Sequence, residues 1–77
     1  MVRFETLKSE SIGIGGNNFI EVAHKKAITS DGENEFISIS RGFVTRENEK
    51  RFKKSIAIPF DKEVVENLRE ALQKMTE

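Results

Sequence analysis

Residues 36–75 read FISISRGFVTRENEKRFKKSIAIPFDKEVVENLREALQKM. Ile37 and Ile39 alternate with Ser38 and Ser40, and Ile56 and Ile58 alternate with Ser55 and Ala57. A period of two belongs to an extended strand, so the isoleucines share one sheet face and the small side chains share the other. The spacing predicts strands over 36–44 and 52–58 joined by a charged hairpin over 45–51. Pro59 lacks an amide donor and ends the second of them. Asp61 then offers a helix N-cap, and Glu63 suits the positive end of the helix dipole. A helix over 61–75 follows, with Val64, Val65, Leu68, Leu72 and Met75 at spacings of three and four, a stripe suited to covering an apolar sheet face. Phe60 is placed to pack on Val65 as a hydrophobic staple.

The same alternation extends towards the N-terminus. Residues 9–14 and 19–28 read as two further strands, and in the second of these Ile20 and Val22 face away from Phe19, Glu21 and Ala23. Between the two, Gly15-Gly16-Asn17-Asn18 contains only residues that tolerate the left-handed backbone region, as a hairpin turn requires. A bulge or a loop hugging a ligand is the other use of such a glycine pair. Val2, Phe4 and Thr6 carry a shorter strand pattern, and the polar cluster over 29–34 centres on an Asp31-Gly32 turn. Gly42 marks a candidate bulge that would re-aim Phe43 and Arg46. The expected fold is α+β: a four-stranded antiparallel meander sheet followed by one C-terminal helix packed on it (β-β-β-β-α), a single domain over 1–77.

A chain of 77 residues buries only about two-thirds of its unfolded surface. With no cysteine it has neither a disulfide nor a Cys-based metal site to add stability. Pairing of subunits is the usual remaining way to enlarge such a core, so a homodimer is expected. No stretch approaches the ~20 apolar residues that span a bilayer. The opening residues carry Arg3 and Glu5 and lack the apolar run of a signal peptide, so a cytoplasmic location is expected.

The formal charge is zero but unevenly spread. Residues 1–40 and 55–77 each carry a net −2, and residues 41–54 carry +4 through Arg41, Arg46, Lys50, Arg51, Lys53 and Lys54. Such a block either draws an anionic partner or is the solvated surface of an edge hairpin. Catalytic signals are lacking. The lone His24 has no cysteine or metal-ligand spacing near it, and Glu33/Glu35 and Glu47/Glu49 flank turns, where solvated carboxylates are ordinary. Gly13-Ile14-Gly15-Gly16 precedes a strand, whereas a phosphate-binding loop needs the amides of a helix N-terminus. Neither enzymatic activity nor a cofactor or metal is expected.

The arrangement instead suits single-stranded nucleic acid, DNA or RNA. Phe19 and Phe36 fall on the face opposite the isoleucines, where an exposed ring can stack on an unpaired base. Ser38, Ser40 and Ser55 keep that surface low, and Lys25, Lys26, Arg41, Arg46, Lys50, Arg51, Lys53 and Lys54 are placed to meet phosphates. Leu68, Ala71, Leu72 and Met75 are the expected helix contacts of a dimer. The alternative is a protein-interaction or assembly module that covers the same phenylalanines with a partner chain.

Two stretches carry a family resemblance. Phe36-Ile37-Ser38-Ile39, the basic hairpin, Ser55-Ile56-Ala57-Ile58 and the helix with Val65, Leu68 and Leu72 resemble the purine-rich-element-binding (PUR) repeat. Ser9-Glu10-Ser11-Ile12 leading through Gly15–Asn18 into Phe19-Ile20-Glu21-Val22 resembles its opening hairpin. The last two strands and the helix are more loosely similar to the positive cofactor four family of single-stranded-DNA-binding coactivators. The resemblance implies a curved four-stranded sheet, pairing through the helix with a second copy, and binding of single-stranded DNA or RNA on the sheet. It places Phe19 and Phe36 among outward aromatics and Arg41, Lys53 and Lys54 in basic strand regions. The chain departs from the repeat at Ala23 and Ser38, where the PUR pattern usually and often, respectively, carries a basic residue.

Overall fold

The computed structural model describes residues 2–77. Four strands, β1 (Arg3–Gly15), β2 (Asn18–Thr29), β3 (Gly32–Val44) and β4 (Lys50–Pro59), form one open antiparallel sheet in the order β1-β2-β3-β4, and α1 (Lys62–Lys74) follows. The β-β-β-β-α order is therefore the one expected.

Local chemistry sets the corners. Gly15 (φ 118°) and Gly16 (φ 56°) take the left-handed backbone of the first turn, and Gly32 (φ 139°) does so after the second. Thr29 Oγ1 accepts from the Asp31 amide at 3.2 Å and donates to the Gly32 carbonyl at 3.2 Å. At the third turn Asn48 sits at φ 66°, and the Glu49 amide donates to Thr45 Oγ1 at 3.2 Å. β1 is one long strand with an irregularity at Leu7, where the sequence suggests a short and a longer piece. β3 begins at Gly32 rather than Phe36, because the hairpin ladder continues through its polar residues, with Glu35 opposite Lys26 and Glu33 opposite Ile28.

Register assigns the two sides. Ile20, Val22 and His24 pair with Arg41, Ile39 and Ile37, which pair in turn with Lys54, Ile56 and Ile58. These residues form the helix side, since Phe60, Val65 and Ile37 line one small hollow there. Phe19, Ala23 and Lys25 pair with Gly42, Ser38 and Phe36 on the opposite, open side. Side-chain parity across β2, β3 and the Lys54–Ile58 part of β4 is thus as the alternation predicts.

The helix departs from expectation. Asp61 caps it, its Oδ1 accepting from the Glu63 amide at 2.9 Å and the Val64 amide at 3.5 Å. Yet α1 has no buried residue; Val65 and Leu68 are half-buried, and Val64, Ala71, Leu72 and Met75 are exposed. It meets the sheet through its first turn and leaves the isoleucines largely uncovered. Phe60 helps explain this. Its ring stacks flat on His24, with centroids 4.2 Å apart and planes 6° from parallel, and so occupies the position over the sheet at which the helix begins. Among the described residues, no helix is long and apolar enough to cross a membrane.

Candidate nucleic-acid interface

The open side holds two aromatic pairs, with small residues, Glu21 and Lys25 between them. At one end the rings of Phe19 on β2 and Phe52 on β4 meet edge to face, 5.5 Å between centroids and 82° between planes. Gly42 lies between them in register, and its missing side chain makes room for the contact. A Cβ at Gly42 would fall 3.1 Å from Phe19 Cζ and 2.2 Å from the Arg51 carbonyl oxygen. At the other end Phe4 on β1 and Phe36 on β3 meet with centroids 6.1 Å apart and planes at 87°. The strand between them supplies Ala27, opposite Phe4. Edge-to-face contacts of this kind are the geometry aromatic rings prefer.

Between the pairs lies a floor of small side chains. Ser38, Ser40 and Ser55 close a triangle of hydroxyls with oxygen separations of 3.3, 3.1 and 3.0 Å. Each hydroxyl can donate to one neighbour and accept from the other, so the polar groups are satisfied without water. Ala23 sits opposite Ser38. Both are buried. Among the described residues, the buried side chains are Phe19, Ala23, Ser38 and Ser40, all on the side without a helix.

Several expected contacts change as a result. Phe19 is on the expected side but only 4% exposed, with its ring between Phe52, the Gly42 backbone and the Lys50 ammonium 5.3 Å from its centroid. It cannot stack on a base. Phe36 is half-buried against Phe4. Ser38 and Ser40 spend their hydroxyls on the triangle and form the floor instead of offering hydrogen bonds. Arg41 and Lys54 pair across β3 and β4 on the isoleucine side, away from the open surface. Lys26 also points to that side, 3.2 Å from Glu33, whose hydrogen bond and charge hold the lysine pKa above its ordinary value.

Of the remaining cations, Lys25 stands on the open side between Thr6 and Phe36 in register. Lys50 is also there, 3.2 Å from Glu21. Arg46 is exposed in the third loop, Arg51 pairs with Glu49 at 3.1 Å, and Lys53 lies over the Phe43 ring at 5.4 Å.

Two rings were not singled out by sequence. Phe4 is 62% exposed and Phe52 52% exposed, and they are the open-side aromatics with a free face. Phe4 belongs to the short N-terminal alternation. Phe52 is harder to read, because Arg41 pairs with Lys54 and Gly42 with Phe52, leaving Lys53 as the extra residue of a bulge. The bulge reverses side-chain parity in β4 and moves Phe52 to the open side. Gly42 signals this irregularity, but the extra residue is in the facing strand. No protein-family model, curated protein or solved structure matches the chain. Among the described residues, no group of three His, Asp or Glu side chains is arranged to hold a metal ion.

Proposed function

We propose that the open side of the sheet binds single-stranded nucleic acid, DNA or RNA. The observation that carries this reading is the pair of exposed rings, Phe4 and Phe52, at opposite ends of a low floor of small side chains. Eight residues of β2 separate the two levels, about 26 Å along the strands at the usual rise. Each exposed ring is held by a second ring beneath or beside it, so it is positioned before a base arrives. Stacking on such a ring contributes about 1–3 kcal/mol per base and is tolerant of sequence. Lys25 and Lys50 lie on the same surface, and Arg46 stands at its margin, for the phosphates between stacked bases.

The helix side offers a different surface. Ile12 and Ile56 are more than half exposed there, and an apolar face of that kind suits a protein partner rather than a polyanion. The nucleic-acid and protein-contact readings therefore apply to opposite sides of one sheet. Fluorescence anisotropy with labelled single-stranded DNA and RNA tests the first. Binding is expected at low salt, with a log–log salt slope of about −1.4 for two phosphate contacts on a single strand. No binding at low salt would remove the proposal.

A further inference from the structure

The isoleucine side carries a charge pattern that nucleic-acid binding on the open side leaves unused. Arg41 on β3 and Lys54 on β4 are register partners there, and both are exposed. Like charges directly across a strand pair repel and destabilise it. Among the described residues neither joins an ion pair, although Arg3, His24, Lys26, Lys50, Arg51 and Arg69 each have a carboxylate partner. Lys53 stands beside them over the Phe43 ring, and Phe43 shares their side of β3. The third-turn end of this face therefore holds positive charge that no neighbour balances.

Apolar surface runs away from that charge. A shallow hollow of about 200 Å³ joins Arg41 and Lys54 directly to Ile20, Ile39 and Ile56. Ile37 continues the same face of β3 beyond Ile39. There the surface opens into two hollows of about 590 and 400 Å³, which share Ile37 and the Phe60 ring. Arg41 and Ile37 are four residues apart, about 13 Å at the rise of a strand. Charges elsewhere on this side are balanced: Lys8 and Glu10 neighbour each other along β1, and at the far end Glu33 and Glu35 pair with Lys26 and His24. The face thus has one cationic end and an apolar track leading from it.

We infer that the isoleucine side holds a monomeric long-chain carboxylate, a fatty acid, with its head on Arg41 and Lys54 and its chain laid over Ile39, Ile56 and Ile37 towards Phe60. A guanidinium meets a carboxylate through two parallel N–H donors, so Arg41 supplies the directional contact and Lys54 a second point charge. The shared anion turns the repulsion between the two cations into attraction to a common centre. Its chain covers apolar side chains that α1 leaves bare, which a polyanion cannot do. One anionic head per molecule is what this face fits. A bilayer presents anionic headgroups over its whole plane and would set them against Glu10, Glu33 and Glu35 as well. Arg41, Lys54 and the isoleucines lie on the side away from Phe4 and Phe52, so the inference stands or falls independently of nucleic-acid binding.

The test is calorimetry of the whole chain with laurate below its micellar concentration, with methyl resonances locating the contact. One laurate per chain is expected to bind saturably and to move the methyl signals of Ile37, Ile39 and Ile56. Affinity should rise from octanoate through decanoate to laurate, by up to about fourfold per CH₂, the increment for a fully buried methylene. Dodecyltrimethylammonium, with a similar chain and the opposite charge, should bind about tenfold more weakly. The Arg41→Gln/Lys54→Gln variant loses a repulsive pair, so it should melt no lower than the native chain. Its affinity for laurate should fall about tenfold, and its preference for laurate over the cation should vanish. Equal binding of the two head charges, or unchanged laurate affinity in the folded variant, overturns the inference. Sedimentation with phosphatidylglycerol vesicles without binding of monomeric laurate also overturns it and assigns the face to a membrane surface. Absence of binding to either overturns it in favour of a protein partner.

Discussion

The two sides of this sheet reverse the usual relation between hydrophobicity and burial. The helix side carries the isoleucines and is poorly covered, whereas the open side carries serines and alanine and holds every buried side chain among the described residues. Burial on the open side comes from neighbours within the sheet: rings that lean across an intervening glycine or alanine, and small residues shielded between larger ones. An apolar stripe shows that a surface needs cover. It does not show which chain supplies it.

Substitutions can break this contrast, and the largest effect is expected at Phe19. Phe19→Ala removes the most buried ring and should cost about 3–5 kcal/mol, enough to unfold so small a domain in a urea titration. Gly42→Ala comes next, at about 2–3 kcal/mol, since its Cβ would meet backbone at Arg51 and the Phe19 ring. Phe52→Ala sharpens the comparison from the ligand side. Its half-exposed ring makes a smaller contribution to stability, but affinity for a single strand should fall about tenfold.

Smaller effects probe the polar groups. Ser38→Ala should cost about 1 kcal/mol, because Ser40 and Ser55 still bond each other at 3.0 Å once the third hydroxyl is gone. At Lys26 the pairing with Glu33 raises the pKa, so the folded state holds the proton more tightly than the unfolded chain does. That stabilisation is complete below the ordinary value of 10.5 and is lost as pH rises through the raised folded value. The melting-temperature gap between the native chain and Lys26→Gln should accordingly close on the alkaline side and persist at neutral pH.

Much of the fold was legible because its signals are local. The alternation of Ile37, Ile39, Ile56 and Ile58, the Gly15-Gly16 and Asp31-Gly32 corners, and the Asp61 cap each constrain a few adjacent residues, and each is found in place. The site was less legible because it depends on relations between strands. Alternation put Phe19 on the correct side, but only the register with Gly42 and Phe52 shows that its ring is enclosed. A bulge at Lys53 turns Phe52 to a side that simple counting denies it, whereas Arg41 and Lys54 keep the parity of Ile39 and Ile56 and point towards the isoleucines, as counting along the strands gives. The position of α1 depends on how Phe60 meets His24, a contact between residues 36 positions apart that no periodicity encodes.

The most direct test of the separation between the sides is nuclear magnetic resonance of selectively labelled protein titrated with a single-stranded oligonucleotide. The ring signals of Phe4, Phe36 and Phe52 should shift and saturate together, while the methyl signals of Ile12, Ile39 and Ile56 stay in place. Shifts centred on the isoleucine methyls, with the phenylalanine rings unmoved, would contradict the assignment of the ligand surface to the open side.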